Sequence, residues 1–423
     1  MKRGGRQIIF NIFYLYSVQG LNLILPILVL PYLIRTLSIE AFGKYSFVFA
    51  FSQFVMLFVD FGFNLSATKK IAENIDNPKV VKSVYWNVTL IKLLLLVVSL
   101  LFVFIFVLLV PKISQHLDGI LYSYIMVLGT VFFPIWWFQG NNKMRELSIV
   151  SAVSKIVSYP LIFVFVRTKD DYNNAIVIQS MSYFLAGIFS IVYLYRNNRE
   201  YFSDLEWFVS PSKYIDEMKD SLPIFISNSS ISLYTNSLTI FLGVFSTEYN
   251  VGLFGAMEKI VRAICFGILS PINQVCFPII AQLKKNDFVR ARGVFQCVFL
   301  FTLGMMLMVY LGLWYFREDV MTYLFKGFKG VAPLLSIFLL IIFPISLGGV
   351  LGQLGLLALG GNREKREFLR IYTIVGGLSV PLSLVSIYYF HLEGAIAVMI
   401  LVEVVVFMLF LVKIIRTDFI QNR

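Results

Sequence analysis

The sequence predicts an all-α polytopic membrane protein, with twelve transmembrane helices in two pseudo-symmetric six-helix bundles around a central cavity. Three observations carry this expectation. Of 423 residues, 58% are hydrophobic and 14% charged, with mean hydropathy +0.80, whereas soluble domains are about 25% charged. Apolar runs long enough to cross about 30 Å of hydrocarbon recur along the chain. Finally, the longest polar stretch, Asn197 to Asp220, separates two halves of equal helix count.

The spans fall at 8–34, 44–66, 84–110, 118–140, 147–166, 174–195, 221–244, 251–283, 293–316, 331–359, 369–390 and 394–415. Counting residues at span ends with the adjoining loops, 24 of the 36 Lys and Arg lie on the side of the two termini, eight lie opposite, and Lys92, Lys155, Lys259 and Arg262 lie within spans. Positive charge concentrates in cytoplasmic loops, so both termini are expected in the cytoplasm. The net charge of +12 is then largely topology, and no nucleic-acid partner is expected. The organisation reads as an N-terminal bundle at 1–196, a cytoplasmic linker at 197–220 and a C-terminal bundle at 221–423.

In chain order, the basic opening Met1–Arg6 runs into an apolar stretch too long for a cleavable signal, so the first helix is expected to remain. That helix carries Gln19 and Asn22 on one face, then Pro26 and Pro31, which allow a kink, and ends at Arg35. Span two places Ser46, Gln53, Asp60 and Asn64 in one arc. Asp60 is either a proton-titrating carboxylate or the partner of a lysine. Lys92 is expected to snorkel to the cytoplasmic interface, whereas Lys155, near mid-span, is expected to face the lumen. Trp136, Trp137 and Phe138 match an interfacial aromatic belt.

The second half opens like the first. Ser38-Ile39-Glu40-Ala41-Phe42-Gly43 is echoed by Ser246-Thr247-Glu248 through Gly252, and Phe133-Pro134 with Gly140-Asn141 by Phe343-Pro344 with Gly361-Asn362. An even helix count per repeat preserves orientation, so the pseudo-axis runs along the membrane normal. Span seven aligns Asn228, Ser232, Thr235 and Thr239, groups that either join helices or bind a hydroxyl-rich ligand. Span eight holds Glu258-Lys259-Ile260-Val261-Arg262 and later Pro271 and Pro278, a possible bend. Glu258 and Arg262 are four apart and can pair, while no acid stands three or four residues from Lys259. Charge at membrane depth marks function by default, so this stretch reads as the centre of a cationic chamber for an anionic substrate. Its alternative is a structural ion pair completed by another helix. Glu403 in span twelve is, with Asp60, a candidate for proton coupling.

There is no Walker loop, so ATP hydrolysis by this chain is excluded. The two His and three Cys lack metal-ligand spacing, and no metal or cofactor is expected. Cys265, Cys276 and Cys297 read as buried small hydrophobes. Short outer loops argue against a membrane glycosyltransferase, and the chain is not expected to be an enzyme.

The stretches Gln19-Gly20-Leu21-Asn22, Pro31-Tyr32-Leu33-Ile34-Arg35, Phe42-Gly43 and especially Asp60-Phe61-Gly62-Phe63-Asn64-Leu65-Ser66-Ala67-Thr68-Lys69-Lys70-Ile71-Ala72 closely resemble the Wzx-type O-antigen flippases, the polysaccharide transporter branch of the multidrug/oligosaccharidyl-lipid/polysaccharide exporters. Trp137-Phe138-Gln139-Gly140 with Lys143-Met144 matches the span-four motif of that family, although an acidic residue expected beside Asn142 is absent; Lys259-Ile260 fits as well. The resemblance implies translocation of an undecaprenyl-pyrophosphate-linked oligosaccharide across the bacterial inner membrane, driven by an ion gradient. It implies as partners the lipid-linked substrate, the bilayer, and the polysaccharide polymerase and chain-length machinery. Carried onto this sequence, it gives Lys259 and Arg262 to the pyrophosphate or acidic sugars, Arg35 to the outer gate, and Asp60 or Glu403 to protonation. Lys155, Gln19, Asn22, Asn228 and Thr235 complete the expected substrate-binding set. The alternatives are a multidrug or cation antiporter of the related branch, which would want a negative, aromatic cavity, and a non-transporting scaffold in a polysaccharide assembly complex.

Overall fold

A computed structural model describes residues 25–199, 211–325 and 332–416. Gln19 and Asn22 lie outside them. The chain forms two compact units, Met1–Ser229 and Ser230–Arg423, and among the described residues the regular structure of both is helical. In the first unit the elements are α1 (Leu25–Thr36), α2 (Ile39–Asp60), α3 (Phe63–Glu73), α4 (Pro78–Leu109), α5 (Pro111–Ser114), α6 (Leu117–Phe132), α7 (Ile135–Gly140), α8 (Met144–Ser158), α9 (Pro160–Phe165), α10 (Tyr172–Asn197) and α11 (Pro211–Thr235), the last of which contains the unit boundary. The second unit continues with α12 (Ser237–Phe245), α13 (Glu248–Asn286), α14 (Phe288–Tyr315), α15 (Arg317–Phe325), α16 (Ala332–Phe338), a 3₁₀ turn at Leu339–Ile341, α17 (Ile342–Val350), a π-helical run at Leu351–Leu359, and α18 (Asn362–Arg416).

Among the described residues, nine helices are long and apolar enough to cross a membrane. They contain ten of the expected spans, because 369–390 and 394–415 share α18, which breaks at His391 (φ 47°, ψ −117°). The expected first span is described only from α1, and the seventh is interrupted at Asn236, between α11 and α12. Although α13 contains Pro271 and Pro278, its helical assignment runs through both.

Local chemistry sets the helix ends. Ser38 caps α2 by accepting from the Ala41 amide at 3.1 Å, and Thr247 caps α13 by accepting from the Asn250 amide at 3.3 Å. Glu40 and Glu248 stand in the respective first turns, where acid meets the positive end of the helix dipole. The echo between the two halves is therefore a shared helix-start signal. The second echo diverges. Phe133 and Pro134 are non-helical and separate α6 from α7, whereas Pro344 lies within α17.

The belt expected at Trp136, Trp137 and Phe138 is corrected by the structure. All three are 0% exposed. The break at Pro134 lets the short α7 pack against α3, and Gly140 makes that approach possible, since a Cβ there would stand 2.7 Å from Ile71. Lys143 covers the cluster with its ammonium 4.7 Å from the Trp137 ring centre and 5.6 Å from that of Tyr193. A second correction concerns the cysteines. Cys265 is buried, but Cys276 is half-buried and Cys297 exposed on α14.

Candidate functional site

The most specific stretch of the sequence, Asp60 to Ala72, begins at a helix break. Phe61 (φ 43°) and Gly62 (φ 82°) both adopt the left-handed conformation between α2 and α3. Glycine is required at the second position, because a Cβ would meet the Ser221 carbonyl at 2.8 Å and the Phe225 amide at 2.9 Å. This close approach aligns α11 with α3. Phe61 stacks on Phe225 at 4.5 Å, the Ser66 and Ser221 hydroxyls are 2.6 Å apart, and Lys70 Nζ donates to Glu217 Oε1 at 2.6 Å. Residues 217, 221 and 225 recur every four and so share one face of α11. On the other side of α3, the Thr68 hydroxyl approaches both the Trp136 carbonyl and Gln139 Oε1 at 3.3 Å. The two motifs that carry the family resemblance thus build one packed module.

Beside this module lies a buried ion pair. Lys92 is 1% exposed and donates to Asp60 Oδ1 at 2.6 Å and to the Thr130 carbonyl at 2.7 Å. The expectation that Lys92 snorkels is overturned. Its amine turns inward because a carboxylate and a carbonyl lie within reach, which satisfies it better than hydrocarbon would. The other Asp60 oxygen accepts from Asn64 Nδ2 at 3.2 Å.

The second unit holds the other charged cluster. On α13, Arg262 Nε donates to Glu258 Oε1 at 2.9 Å, the pairing that their spacing predicts. Glu403, from the α18 segment beyond the His391 break, places Oε1 3.7 Å from Arg262 Nη2. That separation exceeds a hydrogen bond, and Nη2 is buried without a hydrogen-bond partner among the described residues. The Tyr234 and Tyr372 rings stack at 6.0 Å within electrostatic reach of Arg262 and Glu403. With half-buried Lys259, the cluster contains two carboxylates and two cations, so it is balanced in charge where the sequence suggested a net positive chamber.

The remaining expected residues are dispersed. Arg35 is exposed at the end of α1, and Lys155 is half-buried on α8. Asn228 belongs to the first unit and Thr235 to the second, and the Thr235 hydroxyl bonds its own helix at the Ile231 carbonyl, 3.1 Å away. Sequence reasoning missed a polar group in the first unit made by Tyr45, Tyr159, Gln179 and Tyr183. Gln179, in an apolar helix beside Ser180 and Ser182, was its available signal.

Relatives place these features. Residues 8–284 match a family described as polysaccharide biosynthesis protein. A protein of Escherichia coli (strain K12) named "Putative O-antigen transporter" is 34% identical over 88% of this chain and 88% of its own length. One of the same name from Shigella dysenteriae is 28% identical over 96% and 99%. Among solved structures, the inward-facing conformation of a multidrug resistance MATE family transporter of the MOP superfamily aligns with TM-score 0.68 at 12% identity, covering 96% of each chain. The lipid II flippase MurJ in its inward closed conformation aligns with TM-score 0.67 at 12% identity, covering 97% of this chain and 89% of its own. The fold is thus that of the MOP-superfamily transporters, and the chain belongs to the polysaccharide biosynthesis protein family.

Proposed function

We propose that this multi-pass membrane protein is a flippase for an undecaprenyl-pyrophosphate-linked oligosaccharide repeat unit of an O-antigen or related polysaccharide, acting across the bacterial inner membrane with both termini in the cytoplasm. The family and the transporter relatives make it a transporter and not an enzyme. The observation that carries the finer reading is the state of Arg262: one edge bonded to Glu258, the other buried and facing Glu403 across 3.7 Å. A guanidinium with unused donors is suited to the oxygens of a phosphate.

The charge balance suggests how substrate and proton are coupled. With Glu403 ionised, an incoming pyrophosphate meets two carboxylates beside Lys259 and Arg262. A proton on Glu403 removes one of them and leaves a net positive site that binds the anion. Loss of that proton restores the carboxylate and favours release. Coupling requires only that the two sides of the membrane bias these states differently. Asp60, already held by Lys92 and Asn64, suits a structural role better than Glu403 does. The polymerase and chain-length machinery are the partners proposed to receive the flipped lipid.

The test is flipping of lipid-linked oligosaccharide in proteoliposomes with an imposed proton gradient. Arg262→Gln removes charge-assisted bonds of about 1.5–3 kcal/mol, and the rate is expected to fall roughly 10- to 100-fold. Glu403→Gln is expected to make the remaining flipping insensitive to the gradient. Wild-type rates in Arg262→Gln would overturn the assignment of the site, and undiminished wild-type flipping after collapse of the gradient would overturn proton coupling.

A further inference from the structure

The polar group missed by sequence reasoning lies in the first unit, where α2, α10 and the junction of α8 with α9 meet. The Tyr45 hydroxyl donates to Gln179 Oε1. Gln179 also hydrogen-bonds Tyr159, which bonds Ser182, and Tyr183 bonds Gln53. The group has a back and a front. Tyr45 and Tyr159 are buried, at 3% and 4% exposure, whereas Gln53, Gln179 and Tyr183 are half-buried, as is Lys155, one helical turn before Tyr159. Polar side chains that only join helices gain most by complete burial against one another, because an amide facing lipid has no partner. Partly open amides call for a polar environment on their open side. The neighbouring cavity, where Val48, Phe49, Met126 and Ile176 meet Ser52, Ser123, Ser180 and Gln179, has a volume of about 10 Å³, room for one water at most. A larger ligand is therefore met on the open side.

We infer that Gln53, Gln179 and Tyr183 form a carbohydrate-binding surface, held from behind by Tyr45 and Tyr159, that takes a hydroxyl-rich, uncharged sugar of the transported lipid. This inference rests on the flippase reading and concerns residues of the first unit alone. The chemistry fits a sugar. A glutamine amide has four bonding positions, two acceptor and two donor, and at Gln179 the two tyrosines leave capacity for vicinal hydroxyls. The aromatic edge of Tyr183 offers an apolar surface beside those polar groups. None of the three surface side chains bears a charge, so together they discriminate by hydroxyl geometry and not by charge.

The experiment measures binding to the full-length protein in nanodiscs with two probes: the lipid-linked oligosaccharide pool extracted from the producing cells, and undecaprenyl pyrophosphate without sugar. Wild type is expected to bind the sugar-bearing lipid about tenfold more tightly. Tyr183→Phe, which removes one hydroxyl at constant shape, and Gln53→Met are each expected to erase most of that preference while leaving undecaprenyl pyrophosphate affinity within about twofold. Arg262→Gln is expected to weaken both probes alike. Equal affinity of wild type for the two probes, or loss of both affinities together in thermally stable Tyr183→Phe and Gln53→Met, would overturn the sugar site and leave the flippase reading standing. Binding of neither probe by wild type would overturn the flippase reading and the site with it.

Discussion

The two ionic clusters use the same side-chain chemistry to different ends. In the first unit, Asp60 and Lys92 meet at 2.6 Å, and the remaining bonds go to the Thr130 carbonyl and Asn64. In the second, Arg262 is shared between Glu258 at 2.9 Å and Glu403 at 3.7 Å, with one nitrogen unbonded among the described residues. A pair closed at 2.6 Å and backed by a carbonyl and an amide has one favoured arrangement and acts as a lock. A cation offered two carboxylates, one of them at long range, has bonding capacity to exchange, which a coupled transporter needs. What separates the two clusters is bond distance: the first closes at 2.6 Å, whereas the second carboxylate of the other stands at 3.7 Å.

The largest effect that would break this comparison is at the lock. Asp60→Ala leaves Lys92 buried without its carboxylate, and the expected loss is about 3–5 kcal/mol, read as a fall in the unfolding midpoint of detergent-solubilised protein. The double variant Asp60→Leu/Lys92→Met, which removes both charges, is expected to recover most of that loss. A double variant as unstable as Asp60→Ala would show that the charges themselves are needed.

The module beside the lock comes next. Gly62→Ala combines a left-handed backbone with a 2.8 Å contact to the Ser221 carbonyl. A destabilisation of about 1–3 kcal/mol is expected, with faster proteolysis within α11 as a second readout. An unchanged midpoint would mean that α11 is not held at Gly62.

Glu403→Gln should change stability by about 1 kcal/mol or less, because Arg262 keeps its bond to Glu258 and gives up only a contact beyond hydrogen-bonding distance. The comparison sharpens if that small change in midpoint accompanies a large change in the response of flipping to the proton gradient. A loss as large as that of Asp60→Ala would make Glu403 a second structural lock.

The smallest effect lies outside the spans. Asp171 precedes α10 and accepts from the Thr168 amide at 2.7 Å and the Arg167 amide at 3.0 Å, which holds its pKa below the ordinary value. A depressed carboxylate pKa stabilises above the unfolded value and loses that contribution as pH falls through the folded one. Asp171→Asn is therefore expected to lower the midpoint slightly at neutral pH, and the two proteins should converge as pH falls below about 3.9. A difference that persists at low pH would assign the effect to shape and not to charge.

The sequence alone determined the helical membrane class, most span positions and the Glu258–Arg262 pair, and it showed the echo at Ser38 and Ser246 that the structure resolves into two capped helix starts. Each follows from local physics: hydropathy over some twenty residues, capping within three, or helical spacing of four. It also brought out the motifs at Asp60–Ala72 and Trp137–Gly140, but not that they pack on each other. Only the tertiary structure decided that Lys92 turns inward to Asp60, that Trp136 to Phe138 are core and not belt, that Glu403 reaches Arg262, and that Tyr45, Gln179 and Tyr183 join one polar group. The partners in these contacts lie from 32 residues apart, for Asp60 and Lys92, to well over a hundred, for Tyr45 and Gln179 or Arg262 and Glu403. At such separations no helical period links the residues, and burial turns on which helices the Gly62, Pro134 and His391 breaks bring together.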